Sequence, residues 1–327
     1  MTALMPDLRV VHPRNIEDAI AARKEHPGGR FIAGGTDLVV NVRHGLARPD
    51  LLIDLSGVEG LAAIQTSESG LRIGAMVSVS ALARNSTVAA RYRAVMEAAG
   101  SIAGPGHRVM ATVGGNLCLD TRCIYYNQSE WWRRANSYCL KHGGDTCHVA
   151  PQGQHCHAAF TGDLAPALLA LGAEVEIAGA QSRRRVPLGE LYVEDGRAHL
   201  ALAPDELVAA VHLPPNPPPS SYAKVRVRSS IDYPLAGVAV ALGASGGVVS
   251  SLRIGLTGTN SRPFLLAGTD AVAGRPIDAM VLRDIDRLVQ RQVQPMRTTV
   301  ASAHYRRLAV AALACRLVSA LSAGLDA

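Results

Sequence analysis

One stretch of the sequence, residues 112–163, constrains the fold more than any other. It opens with the glycine-rich run Thr-Val-Gly-Gly-Asn-Leu at 112–117 and closes with Thr-Gly-Asp-Leu at 161–164. Between these runs lie five of the six cysteines, both tryptophans and three of the eight tyrosines, although only 4% of the chain is aromatic. We interpret the stretch as a glycine-rich cofactor motif that an inserted metal-binding loop has split in two.

The cysteines in this stretch are widely spaced. Fifteen, seven and eight residues separate Cys123, Cys139, Cys147 and Cys156, whereas ferredoxins and zinc fingers use tightly spaced pairs. In a reducing compartment, clustered cysteines are more often ligands than disulfides. Four thiolates could bind an iron–sulfur cluster, the cysteines could remain metal-free, or they could bind zinc together with the histidines among them, which are His142, His148, His155 and His157. Spacing alone does not separate iron from zinc.

Length and charge exclude several classes of protein. A chain of 327 residues with 48% hydrophobic residues can bury two cores of ordinary size. The net charge of +6 is spread along the chain, and the one tight basic cluster, residues 183–185, is best explained as a solvated hairpin turn. We therefore expect no nucleic-acid partner. Because residues 1–10 do not resemble a signal peptide and no uncharged apolar run reaches membrane-spanning length, we also expect a cytoplasmic protein without a membrane span.

The order of elements predicts two domains. Residues 30–33 predict a strand, 34–37 a glycine turn and 38–43 a helix, although no G-x-G-x-x-G motif or P-loop occurs. Further along, residues 71–75 predict a strand at a sheet edge or turn, residues 87–99 a helix, and Gly-Pro-Gly at 104–106 a turn that no helix passes through.

Five prolines in residues 214–219 form a semi-rigid spacer, where we place the domain boundary. After it, residues 237–244 and 248–255 predict paired strands joined by a Ser-Gly-Gly turn. Helices follow, so we expect a sheet covered by helices on one face.

The runs Ala-Gly-Gly-Thr-Asp-Leu at 33–38, Thr-Val-Gly-Gly-Asn-Leu at 112–117 and Gly-Asp-Leu-Ala-Pro-Ala at 162–167 resemble the FAD-binding subunits of the molybdenum hydroxylases. With residues 222–228 and 302–308, this resemblance spans nearly the whole chain. It implies an α+β fold, with a two-lobed FAD-binding domain of the vanillyl-alcohol-oxidase (PCMH) type at 1–213, a linker at 214–220, and a C-terminal domain of the CO dehydrogenase flavoprotein type at 221–327.

The insertion at 119–160 resembles that of one branch of this family, the β subunits of 4-hydroxybenzoyl-CoA reductases. This resemblance implies a [4Fe–4S] cluster on Cys123, Cys139, Cys147 and Cys156. It assigns Cys118, directly after the Gly-Gly-Asn-Leu run, to the flavin scaffold. Cys315, in the last helix, is most simply a core residue.

The resemblance also implies the FAD site, residue by residue. The pyrophosphate would contact Ile32, Ala33, Gly34, Gly35, Thr36 and Asp37. The diphosphate and ring system would contact Thr112, Gly114, Gly115 and Asn116. The isoalloxazine would lie near Ile102, Asp163, Val208 and Lys224. Two simpler explanations compete, because Asp163 could cap the helix that follows it and Lys224 could be solvated.

The implied function is that of an electron-transfer subunit with no substrate site of its own. Electrons from a ferredoxin would enter at the [4Fe–4S] cluster, pass to FAD and leave through a small [2Fe–2S] subunit to a large molybdenum-cofactor subunit, in a heterohexamer. Two alternatives stay open, an NAD-linked flavin subunit and a zinc-stabilised interaction module without flavin.

Overall fold

The computed structural model describes residues 5–180 and 182–325, so the predicted domain ends at residues 1 and 327 lie outside it. In chain order the strands are β1 (Arg9–Val11), β2 (Arg30–Ile32), β3 (Leu51–Asp54), β4 (Ile64–Ser67), β5 (Gly70–Gly74), β6 (Glu174–Ala178), β7 (Arg183–Pro187), β8 (Leu207–Leu213), β9 (Ser220–Val225), β10 (Ala236–Ser245), β11 (Val248–Thr257) and β12 (Phe264–Leu265). The helices are α1 (Ile16–Glu25), α2 (Leu38–Arg43), α3 (Val79–Arg84), α4 (Ser86–Arg91), α5 (Arg93–Ser101), α6 (Pro105–Arg108), α7 (Val113–Leu117), α8 (Glu130–Ala135), α9 (Leu164–Ala170), α10 (Ala279–Gln292) and α11 (Ala303–Leu325). The predicted α+β class is confirmed.

A small parallel sheet, of order β1-β3-β2, positions the first glycine-rich run. β2 ends at Ile32, the backbone turns through Gly35 with φ of +69°, and α2 begins at Leu38. Glycine adopts this left-handed conformation without steric cost. The predicted strand, turn and helix are confirmed.

A five-stranded antiparallel sheet, of order β4-β5-β8-β6-β7, forms the centre of the N-terminal domain. β5 pairs with β4 on one side and with β8 on the other, so the predicted edge position of this strand is wrong. Leu71 and Ile73 on β5 are buried accordingly. The partner strand β8 lies far along the chain, where the local pattern of β5 carries no information about it.

Two helix predictions need correction. The single helix predicted at 87–99 is split into α4 and α5 at Tyr92, whose buried ring donates an OH hydrogen bond of 2.7 Å to the Pro214 carbonyl oxygen. No helix passes through the Gly-Pro-Gly run, as predicted, since α5 ends at Ser101, but α6 begins within the run at Pro105. Proline is suited to a first helical position, where its missing N–H leaves no hydrogen bond unmade.

The C-terminal sheet, of order β12-β11-β10-β9, is buried on both faces. Along β10, Val238 and Val240 pack into a core with α10 and α11, whereas Ala239 and Ala241 join the core of the N-terminal domain. The predicted cover of helices on one face is confirmed for the domain's own helices, α10 and α11. The other face is covered by α5 and α9 of the N-terminal domain, which the sequence does not predict. At Gly255 a Cβ atom would lie 2.1 Å from the Pro166 carbonyl oxygen, so α9 lies too close to the sheet for any side chain at this position.

Within the part of the chain that the structure describes, one helical stretch, Ala303–Gly324 of α11, is long and apolar enough to cross a membrane, with a mean hydropathy of 1.4. A third of it is buried inside the protein, and Val310, Ala314 and Val318 pack into the core beneath β10. Packing against the C-terminal sheet accounts for its apolar face.

The arginine cluster at 183–185 lies in edge strand β7, not in a turn as predicted. Each arginine is paired with a carboxylate, in the pairs Arg183–Glu17, Arg184–Glu206 and Arg185–Glu174. The local charge of this cluster is therefore largely balanced by neighbouring elements.

Candidate functional site

A single large cavity brings the predicted cofactor residues together. Its volume is about 1200 Å³, beyond the roughly 300–1,000 Å³ of sites for drug-sized ligands. Of the predicted residues all but Lys224 line it, namely Ile32, Ala33, Gly34, Gly35, Thr36, Asp37, Ile102, Thr112, Gly114, Gly115, Asn116, Asp163 and Val208. Runs that lie far apart in the sequence thus form one wall of a cavity suited to a dinucleotide.

The glycine-rich runs pack at distances that only glycine permits. A Cβ atom at Gly34 would lie 1.7 Å from the Met110 carbonyl oxygen, and one at Gly114 would lie 2.7 Å from the Ala75 side chain. Thr112 caps α7 by accepting a 3.1 Å hydrogen bond from the Gly115 N–H. The backbone of both runs therefore forms a close, ordered cavity wall.

Asn116 holds two of the runs together. Its side-chain oxygen accepts a hydrogen bond of 3.0 Å from the Leu164 N–H, at the start of α9. The Gly-Gly-Asn-Leu run and the Gly-Asp-Leu run thus meet directly, although the cysteine insertion separates them in sequence. The insertion leaves and re-enters the fold at one place.

Asp163 and Lys224 form a buried ion pair of 3.0 Å, with side chains 5% and 3% exposed. Asp163 also accepts a 2.6 Å hydrogen bond from the Tyr222 OH, and Lys224 donates to the Asp232 carbonyl oxygen. Burial raises the pKa of Asp163, whereas the charge of Lys224 and the Tyr222 hydrogen bond oppose this rise. Asp163 holds the N-cap position of α9, but its carboxylate is used for this network. Asp163 therefore occupies the predicted cap position without a side-chain cap hydrogen bond, whereas the explanation of Lys224 as a solvated lysine is wrong.

Asp37 lines the cavity, but its carboxylate is used for another contact. It forms an ion pair with Arg122 and accepts a hydrogen bond of 3.2 Å from the Asp120 N–H. Arg122 also donates to Asn41 at 3.3 Å and to the Tyr233 OH at 2.9 Å. Because Arg122 precedes Cys123, Asp37 connects the first glycine-rich run to the cysteine insertion. The sequence does not predict this contact.

The cavity has polar lining residues that sequence reasoning missed, notably Thr161 and His199. The Thr161 hydroxyl and the His199 Nε2 are buried without a hydrogen-bond partner among residues 5–180 and 182–325. Burial lowers the pKa of His199 to about 4, so the imidazole is neutral near pH 7. Unsatisfied buried polar groups are rare in folded proteins and demand an explanation. A polar cofactor beside them supplies one, and no sequence motif marks either residue.

The inserted segment 119–160, which we call the cysteine lobe, buries the four predicted cluster ligands. Cys123, Cys139, Cys147 and Cys156 are each at most 8% exposed, and all are free thiols. Burial is the main cause of the raised pKa of Cys123, and Cys139 and Cys147 raise it further. Burial also raises the pKa of Cys156 to about 12, with contributions from Cys147 and Cys123. Three of the four, Cys123, Cys139 and Cys156, pack in one buried cluster.

The cysteine lobe does not present a site for a single ion. Among the described residues, no group of three or more His, Cys, Asp or Glu side chains is placed to hold one metal ion. The histidines make other contacts, since His155 and His157 stack at 4.3 Å and His148 hydrogen-bonds the Tyr138 carbonyl oxygen at 2.6 Å. This arrangement supports neither the zinc alternative nor the predicted [4Fe–4S] cluster, so both stay predictions.

The two remaining cysteines lie apart from the lobe's thiols. Cys118 lines the cavity, and burial raises its pKa to about 12. Cys315 packs beside the C-terminal core and donates to the Leu282 carbonyl oxygen at 3.3 Å. These positions agree with the predicted assignments of both cysteines, flavin scaffold and core.

The cysteine lobe packs on α2 and the loop after it. Tyr126 donates its OH to the Leu46 carbonyl oxygen at 3.1 Å, and Arg133, with a buried side chain, donates to the Gly45 carbonyl oxygen at 3.4 Å. Tyr126 also lines the cavity while packing with Cys123, Cys139 and Cys156 in one apolar cluster. The cavity and the buried thiols therefore share a wall.

Comparison with known proteins agrees with this geometry. Residues 6–216 match the model of the FAD binding domain in molybdopterin dehydrogenase, and residues 220–321 match the CO dehydrogenase flavoprotein C-terminal domain. The aldehyde oxidoreductase FAD-binding subunit PaoB of Escherichia coli K12 is 35% identical over 266 residues, which cover 78% of this chain and 82% of that protein. The carbon monoxide dehydrogenase medium chain of Afipia carboxidovorans is 28% identical over 297 residues, covering 90% and 89%.

The fold also matches solved structures along its whole length. Reconstituted CO dehydrogenase from Oligotropha carboxidovorans superposes with a TM-score of 0.80 at 25% identity, covering 98% of this chain and 99% of that one. Both family models match, together covering nearly the whole chain. The cavity that joins the glycine-rich runs of the first domain agrees with them, as do these relatives. The chain belongs to the FAD-binding subunits of the molybdenum hydroxylases.

Proposed function

We propose that this flavin subunit transfers electrons between a [4Fe–4S] cluster in the cysteine lobe and FAD in the cavity. The observation that carries the proposal is the shared wall, because Tyr126 packs against the buried thiols and lines the cavity as well. Bound FAD would supply electron transfer in one- and two-electron steps. The chain's own residues would bind both centres, keep water away from them and hold them close together.

The FAD site is supported by the fit of the cavity. The close packing at Gly34 and Gly114 leaves a smooth backbone surface for the cofactor. The unpartnered polar atoms of Thr161 and His199 supply hydrogen-bonding groups in the wall. The buried Asp163–Lys224 pair would hold fixed charges near the ring system.

The cluster assignment is supported by the chemistry of the donor set. A single zinc ion needs its ligands gathered around one point, whereas each thiolate of a four-cysteine cluster binds a different iron atom. All four thiols are buried, and those of Cys123, Cys139 and Cys156 pack in one cluster, which supplies the thiolate donors that an iron–sulfur cluster needs. We therefore keep Cys123, Cys139, Cys147 and Cys156 as the proposed ligands.

We further propose a large molybdenum-cofactor subunit and a small [2Fe–2S] subunit as partners in a heterohexamer in the cytoplasm. The first candidate for the whole complex is a 4-hydroxybenzoyl-CoA reductase that takes electrons from ferredoxin, on the strength of the cysteine insertion. A second candidate is an aldehyde oxidoreductase, favoured by the 35% identity to the Escherichia coli subunit of that name. An NAD-linked complex is a third, since an Escherichia coli xanthine dehydrogenase FAD-binding subunit is 25% identical over 309 residues.

Metal and sulfide analysis of the anaerobically purified chain tests the two-centre proposal. We expect about four iron atoms and four acid-labile sulfides per chain, as a [4Fe–4S] cluster requires, together with one FAD. Cys139→Ser should remove the cluster, and the matched control Cys118→Ala should retain it. One zinc atom without sulfide, or loss of the cluster only in the Cys118 variant, would refute the assignment.

The complex with its partner subunits separates the candidate reactions. Ferredoxin-dependent removal of the phenolic hydroxyl from 4-hydroxybenzoyl-CoA supports the first candidate, and oxidation of aldehydes to acids supports the second. Bleaching of the flavin spectrum by NADH supports the third. A complex that removes no hydroxyl group from the acyl-CoA excludes the reductase.

A further inference from the structure

The wall between the cavity and the cysteine lobe contains a charge pair in which Lys141 is buried and Asp120 is partly exposed. Lys141 Nζ donates to Asp120 Oδ1 at 2.7 Å and to the Thr121 carbonyl oxygen at 3.1 Å. The Lys141 side chain is 5% exposed, whereas that of Asp120 is 35% exposed. Lys141 Nζ also lies 4.7 Å from the centre of the Tyr126 ring. The ammonium group is thus fixed by oxygens and an aromatic face.

Stability alone does not explain this arrangement. Lysine is almost never so deeply buried unless it is paired, and replacing a buried ion pair with apolar residues is often neutral or stabilising. A chain that retains such a pair has placed a permanent charge where solvent screening is weak. The effect of that charge depends on what lies next to it.

Two sites lie next to Lys141. Lys141, Asp120 and Tyr126 all line the cavity, and Tyr126 packs with the buried thiols. The pair therefore lies between the cavity and the cysteine lobe.

We propose that Lys141 and Asp120 set the reduction potential of the flavin in this subunit, with Lys141 raising it and Asp120 lowering it. The inference rests on the proposed function only in that the cavity holds FAD. Reduction of FAD by two electrons and one proton adds one negative charge to the cofactor. A fixed cation in the wall stabilises that charge and a carboxylate destabilises it, most strongly where water is excluded. Both residues act on the cofactor through space, by the electrostatic field of their charges.

The test is the midpoint potential of FAD bound to the purified full-length chain, measured by spectroelectrochemistry. Lys141→Met should weaken binding of reduced relative to oxidised FAD about tenfold, which lowers a two-electron potential by about 30 mV. Asp120→Asn keeps the hydrogen-bonding oxygen, removes the negative charge, and should shift the potential in the opposite direction. Lys141→Arg keeps the charge and should stay near the wild type.

The opposite signs distinguish a field effect from structural damage, because damage would move both neutral variants the same way. Lys24→Met is the matched control, since Lys24 forms an exposed pair with Asp205 at 3.6 Å, and its potential should not change. Shifts of the same sign for Lys141→Met and Asp120→Asn, or no shift in either, would overturn the inference. If Lys141→Met no longer binds FAD, Asp120→Asn alone tests the inference: a raised potential supports it and an unchanged potential overturns it. A wild-type chain that binds no FAD would instead refute the proposed function.

Discussion

The contact between Asp37 and Arg122 ties the cysteine lobe to the first glycine-rich run, and Asp37→Asn breaks it with little change of shape. The wild-type carboxylate pairs with Arg122 and accepts the Asp120 N–H at 3.2 Å. The asparagine keeps one acceptor oxygen but loses the charge. Arg122 keeps its hydrogen bonds to Asn41 and Tyr233, so the lobe should loosen without detaching.

The magnitude follows from burial. The two side chains are 18% and 19% exposed. Exposed ion pairs contribute about 0–1 kcal/mol, and breaking a fully buried pair costs about 3–5 kcal/mol. For this intermediate case we expect about 2 kcal/mol, which increases the population of the locally open lobe about 30-fold.

Alkylation of the metal-free chain by iodoacetamide, read by peptide mass spectrometry, measures this opening. The thiols of Cys139 and Cys156 should react about 30-fold faster in Asp37→Asn, since alkylation requires opening of the lobe. Cys315, in the C-terminal domain, is the internal reference and should keep its rate. Glu17→Gln, which breaks an exposed pair with Arg183, is the control variant. Unchanged rates at the lobe thiols, or an equal acceleration at Cys315, would refute the reasoning.

Three further predictions concern the cavity wall and the ion pair beside it. Gly34→Ala should abolish FAD binding, measured by fluorescence titration, because the new Cβ atom would lie 1.7 Å from a backbone oxygen. Gly100→Ala is the control, since Gly100 lies in open space within α5. This variant should keep FAD, and its free energy of unfolding in urea should rise by about 0.5–1 kcal/mol. Lys224→Met should lower the free energy of unfolding by about 3–5 kcal/mol at pH 8. The loss should be smaller at acidic pH, because burial raises the pKa of Asp163 and a protonated Asp163 needs no cation beside it. Burial lowers the pKa of His199 to about 4, below the value of about 6.5 in the unfolded chain. The free energy of unfolding should therefore fall as pH drops from about 6.5 toward 4, and this fall should be smaller in His199→Leu. An equal fall in the variant would count against a buried neutral imidazole.

The sequence was most informative where function depends on local backbone conformation. The run 33–38 requires a turn at Gly35 with positive φ and close packing at Gly34, and both requirements are visible in the residue types themselves. The cysteine spacing likewise predicted a separate metal-binding loop; the structure shows its four cysteines buried, and the metal stays a prediction. Hydrophobic alternation correctly paired β10 with β11 through the Ser-Gly-Gly turn.

The errors arose where a residue's partner lies far away in the chain. β5 was predicted at an edge because β8, its second neighbour, comes more than a hundred residues later. The two-sided burial of the C-terminal sheet depends on α5 and α9 of the other domain. Such contacts leave no local pattern, since an apolar strand has the same sequence character whichever element covers it.

By itself, the sequence determined the family resemblance, the glycine-rich runs and the set of cysteines, because these depend on residue types at short spacing. Tertiary structure alone decided how the charges are used. It pairs Asp163 with Lys224, directs Asp37 to Arg122 and buries Lys141 in the wall between the cavity and the thiols. The physical reason is that the energy of a charge depends on the burial and partners that packing gives it, and packing brings together residues that the sequence keeps apart.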